Sequence, residues 1–388
     1  MVAMTAGSNP FRATLGSTPP YLAGRHDQIA EFADALDDGP GAHERVSLIT
    51  GLRGVGKTVL LNAFEQEARA RSWWVISESA TPGFSDRIVD ELLKISSERS
   101  PSPTKRISGL SVAGLAGVQF DNAVEHRQKP SLRNAISDFL ASQSTIDQKF
   151  SQEPVGLLIT LDELHYQQHE EVINFGTTIQ HLVRENCNVA VAMAGIPQSI
   201  QPLLASDKGR NPVTFLRRAN RIVLGLVDHG EVEEALSASL SDTDIAWDPE
   251  ALTMAVRACG GYPFLIQLVG HQCFRRREGN LISVTSAMQG ASAAKRKMGQ
   301  LVHEPALRDL SNVDRTFLAA MAIDDGPSKI SDVAQRLGVS SQYASNYRRR
   351  LLDAEMIKSV GYGTVDFELP YLREYLRSHT VTDALGHS

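Results

Sequence analysis

The chain predicts an α/β fold: a parallel β-sheet with helices on both faces, then a helical unit, then a C-terminal winged helix-turn-helix. Three observations carry this. The string Gly51-Leu52-Arg53-Gly54-Val55-Gly56-Lys57-Thr58 lies between a buried strand run, 45–50, and a helical run, 58–70, with Leu60, Leu61, Phe64 and Ala68 along one face. Four further apolar strand runs alternate with helical ones, the pattern of a parallel sheet covered on both sides. Beyond Leu226 the pattern turns almost wholly helical, and beyond Leu310 it reads helix, helix, turn, helix, wing.

In chain order, a polar lead gives way to Pro20-Tyr21-Leu22-Ala23-Gly24-Arg25 and a helical pattern through Ile29, Phe32 and Leu36. The second strand is expected at 72–77, followed by a helix over 84–95 with Ile88, Leu92 and Leu93 on its apolar face. A Ser/Pro-rich break opens a Gly-rich alternating stretch, 107–120, which reads as a β-hairpin insertion within about 100–130. A helix over 131–142 leads to a third strand at 155–161, a helix over 170–185 to a fourth at 188–194, and a polar loop to a fifth at 221–224. Helices broken by Asp248-Pro249 and Gly260-Gly261-Tyr262-Pro263 follow. The last segment predicts helices over 312–322, 330–337 and 341–355, with a two-stranded wing around Gly361-Tyr362-Gly363. The expected division is an α/β unit over 1–226, a helical lid over 227–305 and the winged helix-turn-helix over 306–388.

Composition narrows the class. A chain of 388 residues buries a sizeable core easily, and a net charge of −6 excludes a chain-wide polyanion binder, so any nucleic-acid contact must be a local patch. Cys187, Cys259 and Cys273 are widely spaced, which argues against disulfides and zinc. No leader-like apolar run and no stretch of roughly 18 apolar residues is visible, so a cytoplasmic protein without a membrane partner is expected.

The glycine string fits G-x-x-x-x-G-K-[ST], a loop that cradles polyphosphate. Glycines let successive main-chain N–H groups point inward at an oxyanion, and the following helix adds its positive N-terminal end. Gly51, Arg53, Gly54, Val55, Gly56, Lys57, Thr58 and Val59 are therefore the expected nucleotide contacts, with Lys57 on the β/γ-phosphates and the Thr58 hydroxyl on Mg²⁺. Leu157-Leu158-Ile159-Thr160-Leu161-Asp162-Glu163 supplies the second half: an apolar strand ending in two carboxylates at the edge that faces the phosphates. Asp162 is expected to hold the metal, and Glu163 to orient and polarise the attacking water.

The phosphate loop followed by Asp-Glu resembles the AAA+ ATPase superfamily, over roughly residues 18–300. The lead Pro20 to Arg25 is similar to the segment that walls the adenine pocket in the origin-recognition-like and STAND-like branches, which brings Leu22 and Arg25 to the nucleotide. The resemblance implies ATP and Mg²⁺ as ligands, a strand order 5-1-4-3-2 and a helical lid. It also places Pro263, in the Gly261-Tyr262-Pro263 turn, beside the adenine; a helix C-cap followed by a helix-starting proline accounts for the same residues. Two features depart from the family. The fourth strand ends Met193-Ala194-Gly195-Ile196-Pro197, without the polar γ-phosphate sensor of many members, and no lid arginine stands at Gly261-Tyr262-Pro263. Arg217 and Arg218 precede the fifth strand where members often carry a finger arginine; acting on a neighbour's phosphate, either would require a homo-oligomer, whereas a solvated basic pair is the plain alternative.

The third helix of the winged unit carries Gln342, Tyr343, Asn346, Arg348, Arg349 and Arg350, donors suited to base edges and phosphates of double-stranded DNA. Acids outnumber bases over 301–388, so a protein partner or a purely structural role also stays open. The sequence thus predicts an ATPase that drives a conformational switch, with DNA as its partner or, alternatively, a slowly hydrolysing signalling switch with a protein partner.

Overall fold

The computed structural model describes residues 8–14, 16–99, 129–164, 169–197, 200 and 214–385. The hairpin expected near 107–120 lies outside these residues.

Five parallel strands form the main sheet: β1 (Val46–Gly51), β2 (Trp74–Ser79), β3 (Leu157–Leu164), β4 (Val189–Gly195) and β5 (Asn220–Leu224). Their order is β2-β3-β4-β1-β5, which read from the other edge is the 5-1-4-3-2 implied by the family resemblance. Strand alternation divides the side chains between two cores. On one face Ile49, Leu158, Ala190, Ala192, Ala194 and Ile222 meet the helix Lys57–Ala70 through Leu60, Leu61 and Phe64. The alanines of β4 let that helix approach closely, which fixes the loop at its N-terminus. On the other face Leu48, Ile159, Leu161, Val191 and Met193 pack against the helices Phe84–Arg99, Leu132–Phe150 and His169–Arg184.

The helix Leu132–Phe150 runs well past the expected end at Ser142. Its last turns are held by polar burial, which apolar periodicity does not register. Gln143 accepts from the Trp74 indole at 3.1 Å and donates to Asp147, whose other oxygen accepts the Val155 N–H at 2.9 Å.

The helical unit shares the first sheet core. Val232, Leu265 and Leu268 join Ile49 and Ala192 in one cluster, with helices His229–Ala238, Pro249–Cys259, Pro263–Phe274 and Val284–Met298 around it. Local chemistry sets the ends: the Asp248 carboxylate caps Glu250 and Ala251, Pro249 starts the helix, and Gly260 closes it at φ 55°. Pro263 begins the next helix, as the capping reading of the Gly-Tyr-Pro turn expects. Two short strands, β6 (Ala246–Trp247) and β7 (Leu281–Ile282), pair in parallel across this unit.

A third core, including Phe317, Leu318, Val333, Ala344, Leu351 and Val365, belongs to the winged helix-turn-helix. Its helices are Asn312–Met321, Ile330–Leu337 and Ser341–Asp353; its wing pairs β9 (Ile357–Gly361) with β10 (Thr364–Phe367). This unit also has elements that the sequence pattern does not predict. The strand β8 (Ser328–Lys329) pairs with β10, and the helix Leu372–Leu385 packs back through Leu372 and Leu376. A π-turn, Gly299–His303, joins this unit to the lid, and the Tyr371 hydroxyl donates to Ala258 O at 2.5 Å across the junction.

Candidate nucleotide site

The loop after β1 curls as its glycines allow, with Gly54 at φ 77° and Gly56 at φ 96°. Lys57 opens the next helix, and its ammonium donates to the carbonyls of Gly51 and Leu52, each at 2.7 Å. Burial pushes the Lys57 ammonium below the usual lysine value, while the carboxylates of Glu355 and Asp162 pull the other way. The Thr58 hydroxyl donates to Asp162 Oδ2 at 2.5 Å, so the two residues expected to share a cation are in contact. The other Asp162 oxygen accepts the Glu163 N–H at 2.8 Å.

Glu163 sits at φ 57°, in the left-handed region, beside a register shift between Leu161 and Leu164. Glu163 stands exposed there, near the C-terminal end of the strand and just past its continuously buried run, 157–161. Left-handed backbone at a non-glycine residue is costly, and such strain concentrates at working sites.

A cavity of about 190 Å³ runs from the loop to the lid. Gly54, Val55, Gly56, Lys57, Thr58 and Val59 form one wall, Leu22 and Arg25 a second, and Pro263 a third. Arg25 is 9% exposed and donates to the carbonyls of Gly24 and Gly225, so its guanidinium ties the lead to the end of β5. The site fits a nucleotide and its cation on two counts. Gly56 is surrounded by open space where a side chain would stand, and Thr58 with Asp162 offers the hard oxygen donors that Mg²⁺ takes.

Residues 21–191 match the family model described as an AAA ATPase domain. The chain carries an AAA+ ATPase domain. Residues 300–376 match a second family model, a domain of unknown function. No curated protein matches. Among solved structures, the Walker-type ATPase PABY2304 of Pyrococcus abyssi is similar at TM-score 0.62 and 17% identity, covering 94% of this chain and 100% of that one. The Aeropyrum pernix ORC2 protein in ADPNP–ADP complexes has TM-score 0.47, 14% identity and coverage of 94% and 97%. The Aeropyrum pernix ORC1 protein in complex with DNA has TM-score 0.46, 15% identity and coverage of 95% of each chain. The first of these establishes likeness of fold.

Within this AAA+ ATPase domain, two expected contacts stand apart from the cavity. Gly51 ends β1 packed on Leu224, and Arg53 is exposed on the outer side of the loop. Arg217 and Arg218 lie just before β5, whose first residue pairs with Ser47 and whose last pairs with Gly51. They therefore occupy the sheet edge opposite their own phosphate loop. The fourth strand ends at Gly195 and is followed by Ile196, which offers the site no side-chain donor.

Sequence reasoning missed three contributors. Arg12, Thr14 and Gly16 line the cavity, anchored where Phe11 packs on Gly270 and the Arg12 N–H donates to Gln267 at 3.0 Å. Phe11, a lone aromatic in a polar lead, was the available signal. Tyr262 donates its hydroxyl to the Arg53 carbonyl, and the Phe264 N–H donates to Gly54 O at 3.3 Å, so the lid grips the loop directly. Glu355, from the end of the winged helix-turn-helix's third helix, is 5% exposed and lies beside Arg53.

In the winged unit, Gln342, Tyr343, Asn346 and Arg349 are exposed. Arg348 donates to Ser359 in the wing at 3.2 Å, and Arg350 pairs with the buried Asp314 at 2.7 Å. Two of the three arginines thus make internal contacts.

Proposed function

We propose that this AAA+ ATPase hydrolyses ATP with Mg²⁺ to switch the position of its lid and winged helix, and that the winged helix contacts double-stranded DNA. The observation that carries the switch is the direct hydrogen bonding of Tyr262 and Phe264 to the loop carbonyls of Arg53 and Gly54. A loop that reshapes around phosphate moves those acceptors, and the lid must follow. ATP is read with its phosphates on Gly54 to Thr58 and its base between Leu22, Arg25 and Pro263. Lys57 exchanges its two carbonyl partners for phosphate oxygens, and Glu163 orients water for in-line attack. A cation held by Thr58 and Asp162 would offset the phosphate charge. Arg217 or Arg218 is proposed as a finger for a neighbouring copy, because their edge of the sheet cannot serve their own loop.

The DNA role rests on the exposed donors Gln342, Asn346 and Arg349, with Tyr343 beside them and the fully exposed wing-tip Tyr362. The internal contacts of Arg348 and Arg350 favour the second reading, a protein partner for the same face. One experiment separates them: steady-state ATPase and duplex binding at low and moderate salt, for wild type and Arg349→Ala. DNA-stimulated turnover that falls with salt and with the substitution supports the first reading. Absent duplex binding at low salt rejects it.

A further inference from the structure

Glu355 occupies an unusual place. It follows the helix Ser341–Asp353, sits at φ 56°, and is 5% exposed, so the winged unit holds it in sparsely populated backbone with its side chain inside the molecule. Neither carboxylate oxygen completes a hydrogen bond of ordinary geometry. Burial pushes its carboxyl above the usual range; Lys57, Arg53 and, more weakly, the Arg53 main-chain N–H of the phosphate loop pull it back, with Glu368 as an opposing carboxylate. The cavity it lines is about 130 Å³ and also touches Ile196, Asp309 and Leu369, at the meeting of loop, β4 end and winged unit.

A buried carboxylate without full hydrogen bonding is retained against a desolvation cost. Here the compensation is the positive field of a loop built for polyphosphate. The anion and a bound triphosphate therefore draw on the same cation, Lys57. A diphosphate leaves more of the Lys57 charge to Glu355; a triphosphate brings a second negative group to the same cation, where like charges in a low dielectric repel strongly.

We infer that Glu355 is the residue that discriminates triphosphate from diphosphate: an anion supplied by the winged unit, stabilised on the Arg53–Lys57 side of the loop with ADP bound and expelled by the terminal phosphate of ATP. Expulsion turns the winged unit off the loop and so gives the nucleotide state a route to the exposed face of Gln342, Asn346 and Arg349. This deepens the proposed switch and rests on the nucleotide reading of the loop.

The test uses the full chain and measures binding of ADP and of a slowly hydrolysed ATP analogue, with Mg²⁺, by calorimetry for wild type, Glu355→Gln and Glu355→Asp. Glu355→Gln keeps the shape and removes the charge; it is expected to tighten the triphosphate about tenfold or more while ADP changes little. Glu355→Asp, which restores the charge, is expected to return most of the discrimination. A triphosphate-to-diphosphate affinity ratio that stays the same in Glu355→Gln, or shifts equally in both charged and uncharged variants, overturns the inference while leaving the nucleotide site intact. A wild-type chain that binds neither nucleotide overturns the site reading and this inference with it. Melting temperatures of the three nucleotide-free proteins separate misfolding from altered discrimination.

Discussion

At Asp162 and Glu163 neighbouring carboxylates are given different work by their surroundings. Asp162 accepts from Thr58 and from the Glu163 N–H, which suits the metal-side role proposed for it, whereas Glu163 stands exposed beside the register shift. Glu163→Gln should therefore bind ATP with near-normal affinity yet lose turnover by about 10²–10³, as expected when a water-orienting base is removed; filter-binding and phosphate-release assays on the same preparation check it. Ordinary turnover would refute the base assignment. Lys57→Ala should instead lose binding, because the loop's principal side-chain cation goes with it. At His303, burial holds the imidazole down to about 4 while its Nε2 donates to the Pro370 carbonyl at 2.8 Å. An unfolded histidine titrates near 6.5, so the unfolded chain takes up the proton first, and stability is full above about pH 6.5 and falls toward pH 4. The shift corresponds to about 3 kcal/mol at most. Denaturant midpoints between pH 7 and 4.5 for wild type and His303→Gln should converge as this term is lost.

The elements show why the loop is where it is. β4 presents Ala190, Ala192 and Ala194 to the helix Lys57–Ala70 and larger side chains to the opposite core. A fully buried helix–strand contact of this kind has no room for added volume, so Ala192→Leu should destabilise by about 1–3 kcal/mol and weaken nucleotide binding by displacing the helix N-terminus. Urea unfolding and ADP affinity, measured together, decide it: lost stability with unchanged affinity would mean that loop geometry does not depend on this packing. The lid contact is gentler. Tyr262→Phe removes one hydroxyl donor from the Arg53 carbonyl and should cost about 1 kcal/mol in melting stability.

For the whole molecule, the proposed finger role of Arg217 and Arg218 would tie catalysis to assembly. Their edge of the sheet lies opposite the phosphate loop, so a γ-phosphate contact by either would be to a second copy. Turnover per chain should rise with protein concentration in the wild type and stay flat and low in Arg217→Ala/Arg218→Ala. Concentration-independent turnover at wild-type level in that variant would make them surface arginines. The same scale governs the lid and the winged unit, which meet the loop from two directions through Tyr262 and Glu355.

The loop, both carboxylates and five strands were legible because each is written within a dozen residues: glycine spacing, a buried alternation, an acidic strand end. Local chemistry of this kind also set most helix ends, such as Asp248-Pro249 and Gly260. Strand order was readable only through family resemblance, and β8, the final helix and the extension stabilised by Gln143 and Asp147 carried too little periodic signal. What packing alone decided is which distant groups close on the phosphate loop. Arg53 and Tyr262 are 209 residues apart, and Glu355 lies farther still; no local pattern aims a side chain across such a gap. That aim is set by three cores packing at once, since only the assembled cores determine where the end of one helix meets the start of another.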